Sequence, residues 1–384
     1  MMKNNSISKP LGIYIHVPFC RSKCPYCDFY SLCDMTPADA YTDAVVNGIK
    51  TLNGMAEFVG KEAFSRPVDT VYFGGGTPSV LGAERLVRIL SVVKQSFRMA
   101  ENAEITVECN PSTPDIETFF AACAAAGVNR LSLGMQSAVD AERRSLGRKA
   151  DRERIAFCVR KAREAGIDNI SLDVMLGVPG QTEESLVNTL DFALSSGVPH
   201  ISAYILKLEE GTFFYKNRDR LSLPDDDTAG DLYMLMCGHL EKAGMRHYEI
   251  SNFCFENRLS RHNMRYWRDE EYLGFGPSAH SFYNGKRFYY ERDLEAYIRG
   301  AAASYDTGGG DAEECFLLAL RTDEGLDLPQ WTQTYEIRPQ KRFYKELELL
   351  SSHGLLTAEK DVIRLTDAGM LLSNSVISSL LSKL

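Results

Sequence analysis

Short apolar runs alternating with amphipathic stretches organise the first two thirds of the chain. The strand-like runs are Ile13–Val17, Thr70–Phe73, Glu104–Glu108, Arg130–Gly134, Asn169–Met175 and His200–Leu206. Between them, helical patterns end in a repeated signature: Ala126-Gly127-Val128, Ala165-Gly166-Ile167 and Ser196-Gly197-Val198, with a further copy at Ala243-Gly244-Met245. Each glycine stands where a helix closes in a left-handed C-cap. Strand and helix alternating every ~30 to 45 residues predict βαβ units with right-handed crossovers and a parallel sheet. Runs such as Ile170-Ser-Leu-Asp-Val-Met175 are apolar at most positions, as expected where helices cover the outside of the sheet. Six such units fall short of the eight of a closed barrel. The expected fold is therefore α/β, a partial (β/α)6 barrel of the TIM type.

The pattern changes after about residue 215. Residues 216–307 read as a connecting helical segment, with Asp227 as the N-cap of a helix over Thr228–Ala243. Gly308-Gly309-Gly310 marks a turn into a last segment, 308–384. There, helices precede Gly354-Leu-Leu-Thr357, a turn at Glu359-Lys-Asp361, the strand Val362–Thr366 and a final helix. That order suits a small winged-helix-like domain used for packing or interaction, with residues 1–215 as the barrel core.

Composition narrows the class. The 384 residues are 44% hydrophobic and 25% charged, ordinary for a globular protein large enough for two domains. A net charge of −9 argues against a generic nucleic-acid binder, because backbone recognition needs clustered positive charge. Met1–Pro10 is polar and lacks the apolar centre of a signal peptide, and no run approaches the ~20 apolar residues of a membrane span. Ten cysteines without a secretory signal point to a reducing compartment, the cytoplasm. Cys33, Cys109, Cys123, Cys158, Cys237, Cys254 and Cys315 are scattered and read mostly as small buried apolar residues.

The remaining three are not scattered. Cys20, Cys24 and Cys27 follow the first strand as C-x3-C-x2-C. Thiolates hold iron–sulfur clusters, and a cube takes four ligands. Three with no obvious fourth suit a four-iron cluster that a small molecule completes. Zinc would want a second Cys or His pair, and a c-type haem would want His where Asp28 stands. Other unusual sequences also follow strands, where the chemistry of such folds gathers. They are Gly74-Gly-Gly-Thr-Pro78, Glu108-Cys-Asn-Pro111, Met135-Gln-Ser137 and Leu176-Gly-Val-Pro-Gly180. The glycine run permits close backbone approach to a ligand, although such runs also serve as plain turns.

The C-x3-C-x2-C motif with Gly-Gly-Gly-Thr-Pro after the second strand resembles the radical S-adenosylmethionine superfamily. Tyr14-Ile-His-Val-Pro-Phe-Cys20, Cys24-Pro-Tyr-Cys-Asp-Phe29, Gly134-Met-Gln-Ser137 and Asp173-Val-Met-Leu-Gly-Val-Pro179 are similar to its oxygen-independent coproporphyrinogen III oxidase branch. Within that branch the chain looks most like the HemW haem-chaperone family. The oxidase pattern has a further cysteine where this chain has Phe29, and a longer arm than the 19 residues ahead of Cys20. The chaperone family carries H-N-x-x-Y-W, present here as His262-Asn263-Met264-Arg265-Tyr266-Trp267.

The resemblance implies a [4Fe–4S] cluster on Cys20, Cys24 and Cys27 whose open iron binds S-adenosylmethionine. It implies Tyr14 and Tyr26 beside the cluster, and Gly75, Gly76 and Thr77 on the methionyl part. Glu108, Gln136, Arg148 and Asp173 would complete the pocket, and His262 would bind haem. Implied partners are a haem or porphyrin ligand, a haem-accepting protein and an electron donor such as a flavodoxin or ferredoxin. On chemistry alone, Glu108 and Asp173 could equally be strand-end caps or structural ion pairs. His262 could be a structural loop histidine, with Tyr266 and Trp267 as core residues. Gly274-Phe-Gly-Pro-Ser-Ala-His280 is expected over the same cavity as His262. Two functions share every cluster residue: a haem chaperone, and a coproporphyrinogen III dehydrogenase that decarboxylates propionates oxidatively. A weaker third reading makes the last domain a nucleic-acid sensor switched by the cluster.

Overall fold

The structure is a computed structural model in which residues 9–384 are described. The polar stretch read as lacking a signal peptide, Met1–Pro10, lies outside the described residues except for Lys9 and Pro10. The chain divides into two compact units of interleaved segments. One comprises residues up to 134 with 152–170 and 270–309, the other 135–151, 171–269 and 310–384.

All six sequence-expected strands form: β1 (Leu11–Val17), β2 (Pro67–Gly75), β3 (Arg98–Cys109), β4 (Arg130–Gln136), β5 (Asn169–Leu176) and β6 (His200–Ile205). A helix follows each of them. The glycines of the repeated signature, Gly127, Gly166, Gly197 and Gly244, all have positive φ, between 68° and 91°. Their left-handed conformation stops each helix and turns the chain toward the next strand.

Residues 216–307 depart from expectation. They hold one long helix, Asp226–Lys242, but also β7 (Arg246–Glu249), β8 (Asn252–Cys254), β9 (Tyr272–Phe275), β10 (His280–Tyr283), β11 (Lys286–Tyr289) and β12 (Ser304–Gly308). Strands of three to five residues show too little alternation to be seen in a sequence. The N-cap of the long helix is Asp225, whose Oδ1 accepts from the Thr228 backbone N–H at 2.9 Å, and not Asp227. Of three consecutive aspartates, the one after Pro224 has the reach to the third N–H of the helix.

In the first unit the strand order is β12-β11-β10-β9-β1-β2-β3-β4. β1 runs parallel to both β2 and β9, and every residue of it but Tyr14 is buried. The register sets Tyr14 beside Tyr72 and His16 beside Gly74, and Phe73 beside Val107. In the second unit β5 pairs with β6 in parallel, and β6, β8 and β7 continue antiparallel.

The last segment, also in the second unit, forms β13 (Leu326–Asp327), β14 (Leu356–Glu359) and β15 (Val362–Leu365) in the order β13-β15-β14. Lys360 and Asp361, both at positive φ, make the two-residue hairpin turn. Phe316, Trp331, Phe343, Ile363 and Ile377 fill its core, as suits the expected winged-helix-like domain. Of the seven scattered cysteines, Cys109, Cys123, Cys158, Cys237 and Cys254 are buried, while Cys33 is exposed and Cys315 is half-buried.

Candidate functional site

In the first unit the end of β1 organises two loops. Leu32 N–H donates to Pro18 O at 2.8 Å and Cys20 N–H to Leu32 O at 2.9 Å, pinning the cysteine loop at its base. Cys27 N–H donates to Cys24 O at 3.2 Å, a turn inside the loop. Burial pushes the Cys27 thiol up, and the neighbouring Cys24 and Cys20 sulfurs push it the same way. The Phe29 backbone and the Lys23 ammonium oppose this by favouring thiolate. Three half-buried sulfurs that sense one another, on a loop stiffened by Lys23 bonding to Phe29 O and to Ser31 Oγ, form a donor set that a cationic cluster would complete. Tyr26 is half-buried between Cys24 and Cys27. Phe29 is 66% exposed.

The glycine loop lies against the cysteine loop. Gly76 N–H donates to Val17 O at 2.8 Å and Thr77 N–H to Phe19 O at 2.7 Å, while Thr77 Oγ1 stands 3.3 Å from Cys20 Sγ. A Cβ at Gly76 would fall 2.7 Å from both carbonyl oxygens, and one at Gly75 (φ 102°) 2.5 Å from the His16 ring. These two glycines therefore serve the close approach of loop to strand, not only of loop to ligand. Gly74 is different. A Cβ there would stand 2.9 Å from the Tyr72 ring and 3.0 Å from Glu108 Oε1, filling the space beside that carboxylate.

Glu108, half-buried, accepts from Tyr72 O–H at 2.8 Å. Tyr14 packs 6.2 Å from the Tyr72 ring, and burial with the Glu108 charge keeps its hydroxyl protonated. That hydroxyl lies 3.1 Å from His16 Nδ1, while His16 Nε2 lies 3.0 Å from Tyr30 O. A carbonyl can only accept, so Nε2 carries the proton and Nδ1 accepts from Tyr14. Burial pushes the imidazole pKa down to about 4, in keeping with this neutral tautomer. Nothing in the motifs assigns His16 a part. Its signal was a polar residue inside an otherwise apolar strand.

Gly276 (φ 103°) approaches the same histidine, and a Cβ there would fall 2.4 Å from His16 O. The glycine-rich stretch 274–280, expected over the His262 cavity, thus packs against β1 through β9.

The second unit holds the other expected residues. Gln136, buried and at φ 70°, accepts from Tyr204 O–H through Oε1 at 3.0 Å. A non-glycine residue held at positive φ marks strained backbone of the kind found at functional sites. Asp173 is half-buried on β5 opposite Ser202, and Arg148 is half-buried after a short helix, Asp140–Ser145.

His262 is not in a loop. It sits in the first turn of a helix, Arg261–Trp267, and is fully buried. Its Nε2 lies 2.9 Å from Tyr266 O–H, one turn along, with the rings edge to face. A polar chain supports the start of this helix. Ser171 Oγ lies 2.8 Å from His200 Nδ1, and His200 Nε2 lies 2.8 Å from Tyr248 O–H. The same hydroxyl accepts from Ser260 N–H at 3.0 Å, and Ser260 caps the helix by accepting from Asn263 N–H. At the other end Trp267 hydrogen-bonds to the buried Glu249 carboxyl, which also receives Asn252 and Ser251 N–H. Burial pushes the Glu249 pKa up to about 8.

Comparison with known proteins accords with this geometry. Residues 14–193 match the radical SAM superfamily, and residues 311–372 match the HemN C-terminal domain. The chain is 35% identical to heme chaperone HemW of Mycobacterium tuberculosis strain H37Rv, over 97% of this chain and 95% of that one. It is 32% identical to heme chaperone HemW of Bacillus subtilis, over 97% and 99%. Among solved structures it is similar to coproporphyrinogen III oxidase (HemN) from Escherichia coli, with a TM-score of 0.81 and 23% identity over 97% of this chain and 90% of that one. That likeness shows the fold alone, an α/β partial barrel with a C-terminal domain.

Proposed function

The chain belongs to the HemW haem-chaperone family of the radical SAM superfamily, and from that premise we propose that it takes up haem and passes it to an acceptor protein. In this reading Cys20, Cys24 and Cys27 hold a [4Fe–4S] cluster. Once bound, the cluster supplies an iron able to take the amino and carboxylate groups of S-adenosylmethionine. The chain's own residues then have separate tasks. Thr77 stands at the Cys20 sulfur, Gly74 leaves room beside the Glu108 carboxylate, and Tyr72 orients that carboxylate to accept from a ligand amine or hydroxyl. Gln136, Arg148 and Asp173 are assigned to the same ligand. Haem is the cargo, with His262 as the side chain that engages it.

The observation that carries the chaperone reading is the full-length likeness to HemW proteins combined with Phe29. Where the oxidase pattern has a cysteine, this chain presents an exposed aromatic ring that offers no donor to iron. An electron donor such as a flavodoxin or ferredoxin would serve the cluster.

The test is anaerobic reconstitution followed by haem titration, with a coproporphyrinogen turnover assay on the same sample. The expected result is a stoichiometric Soret band, weakened in His262→Ala, without protoporphyrinogen formation. Turnover to protoporphyrinogen with no haem band would establish the dehydrogenase instead.

A further inference from the structure

Apart from the cysteine loop, three potential metal ligands converge inside the second unit. Cys237 comes from the helix Asp226–Lys242, His247 from β7, and Asp367 from the first turn of the helix Asp367–Leu371. Their ligand atoms all lie within 4.8 Å of one another. We propose that these residues form a binding site for a zinc-class divalent metal ion, separate from the iron–sulfur loop.

The donor set carries the choice of ion. A thiolate, an imidazole and a carboxylate together suit a borderline-soft ion such as Zn2+ and suit Mg2+ or Ca2+ poorly. Bonds of 2.0–2.3 Å in a tetrahedron place ligand atoms roughly 3.3–3.7 Å apart, so modest side-chain rotation suffices.

The site is also built. His247 is buried, and its ring stacks on Phe253 at 4.1 Å and 11°, which fixes its plane. Its Nδ1 lies 2.7 Å from Asp367 Oδ1, whereas Nε2 is buried with no hydrogen-bond partner. An ion shared with Asp367 would be held by Nδ1, the nitrogen that faces that carboxylate. Thr366 fixes the approach of Asp367 by capping the helix at Gly369 N–H. Cys237 is fully buried beside the Tyr233 hydroxyl.

Electrostatics point the same way. One turn beyond Cys237, Glu241 is close enough to feel both Asp367 and His247. A bound divalent ion would favour the Cys237 thiolate. It would also fasten the C-terminal domain, through Asp367, to the helix and strand that carry Cys237 and His247.

The test measures zinc and iron together in the full-length reconstituted protein. The expected result is one zinc per chain beside the cluster iron. Cys237→Ser and Asp367→Asn should lose the zinc and keep the iron, with affinity weakened on the order of tenfold or more. A chain with Cys20, Cys24 and Cys27 all replaced by serine should still bind Co2+ with a thiolate charge-transfer band, absent when Cys237→Ser is added. Zinc retained in Cys237→Ser but lost with the three loop cysteines would overturn the proposal. So would the lack of any cobalt–thiolate band in the triple serine chain, a readout that does not depend on Asp367→Asn folding.

Discussion

His16 ties the end of β1 to both loops of the candidate cofactor site. Its Nε2–H anchors the cysteine loop at Tyr30 O, its Nδ1 orients Tyr14, and its ring face forces residue 75 to be glycine. A histidine held neutral in the fold at a pKa of about 4 makes stability depend on pH with a known sign. Below about pH 6.5 the unfolded chain takes up a proton that the folded chain refuses until about 4. Stability from this group is complete above pH 6.5 and falls by up to about 3 kcal/mol as pH drops to 4. Urea titrations of the cluster-free protein at pH 5 and 7 should show that fall, and His16→Gln should flatten it. At His262 the prediction concerns competition. Tyr266 O–H engages the Nε2 that haem iron would need. Tyr266→Phe removes a bond of about 1 kcal/mol and should tighten haem binding about fivefold, read from the Soret titration. Weaker binding would show that Tyr266 assists the haem site, and unchanged binding that it does not compete with haem.

Helices and strands turn these residues into sites. The helix Arg261–Trp267 has only seven residues, too few to persist without tertiary support. Its support is the polar chain from Ser171 through His200 to Tyr248 and Ser260 N–H, with Glu249 holding Trp267 at the far end. Tyr248→Phe strands a buried N–H and a buried imidazole nitrogen, with an expected cost of about 1–3 kcal/mol. The loss should appear as faster amide exchange in residues 260–267, while the cluster spectrum stays unchanged. Little of this was legible beforehand. The long apolar strands and their glycine-terminated helices were visible because periodicity and capping act within a few residues. The strands between 246 and 308 were not, because at three to five residues each they show too little alternation, even where two of them pair across the short Asn284-Gly285 turn.

For the whole molecule, the C-terminal domain contributes more than a cover. Its segment 321–323 pairs with the end of β7: Ile250 N–H donates to Arg321 O at 3.0 Å, and Asp323 N–H to Tyr248 O at 3.1 Å. Arg246 and Arg268 form ion pairs with Asp323 and Glu324. A chain ending at Gly310 should therefore keep the cluster's visible absorbance, whose ligands belong to the first unit, yet lose haem uptake. Retained haem uptake would separate the domain from the His262 region. Among the described residues no helix is long and apolar enough to cross a membrane.

By itself the sequence determined the α/β alternation, the cysteine loop, the glycine loop and the family, since each is written in residues close together in the chain. Tertiary structure alone decided the neutral His16 between two loops, the burial of His262 against Tyr266, and the meeting of Cys237, His247 and Asp367. Those depend on side chains up to 130 positions apart sharing one desolvated place. Burial and partnership, which set protonation and ligand chemistry, are properties of that place and not of the local pattern.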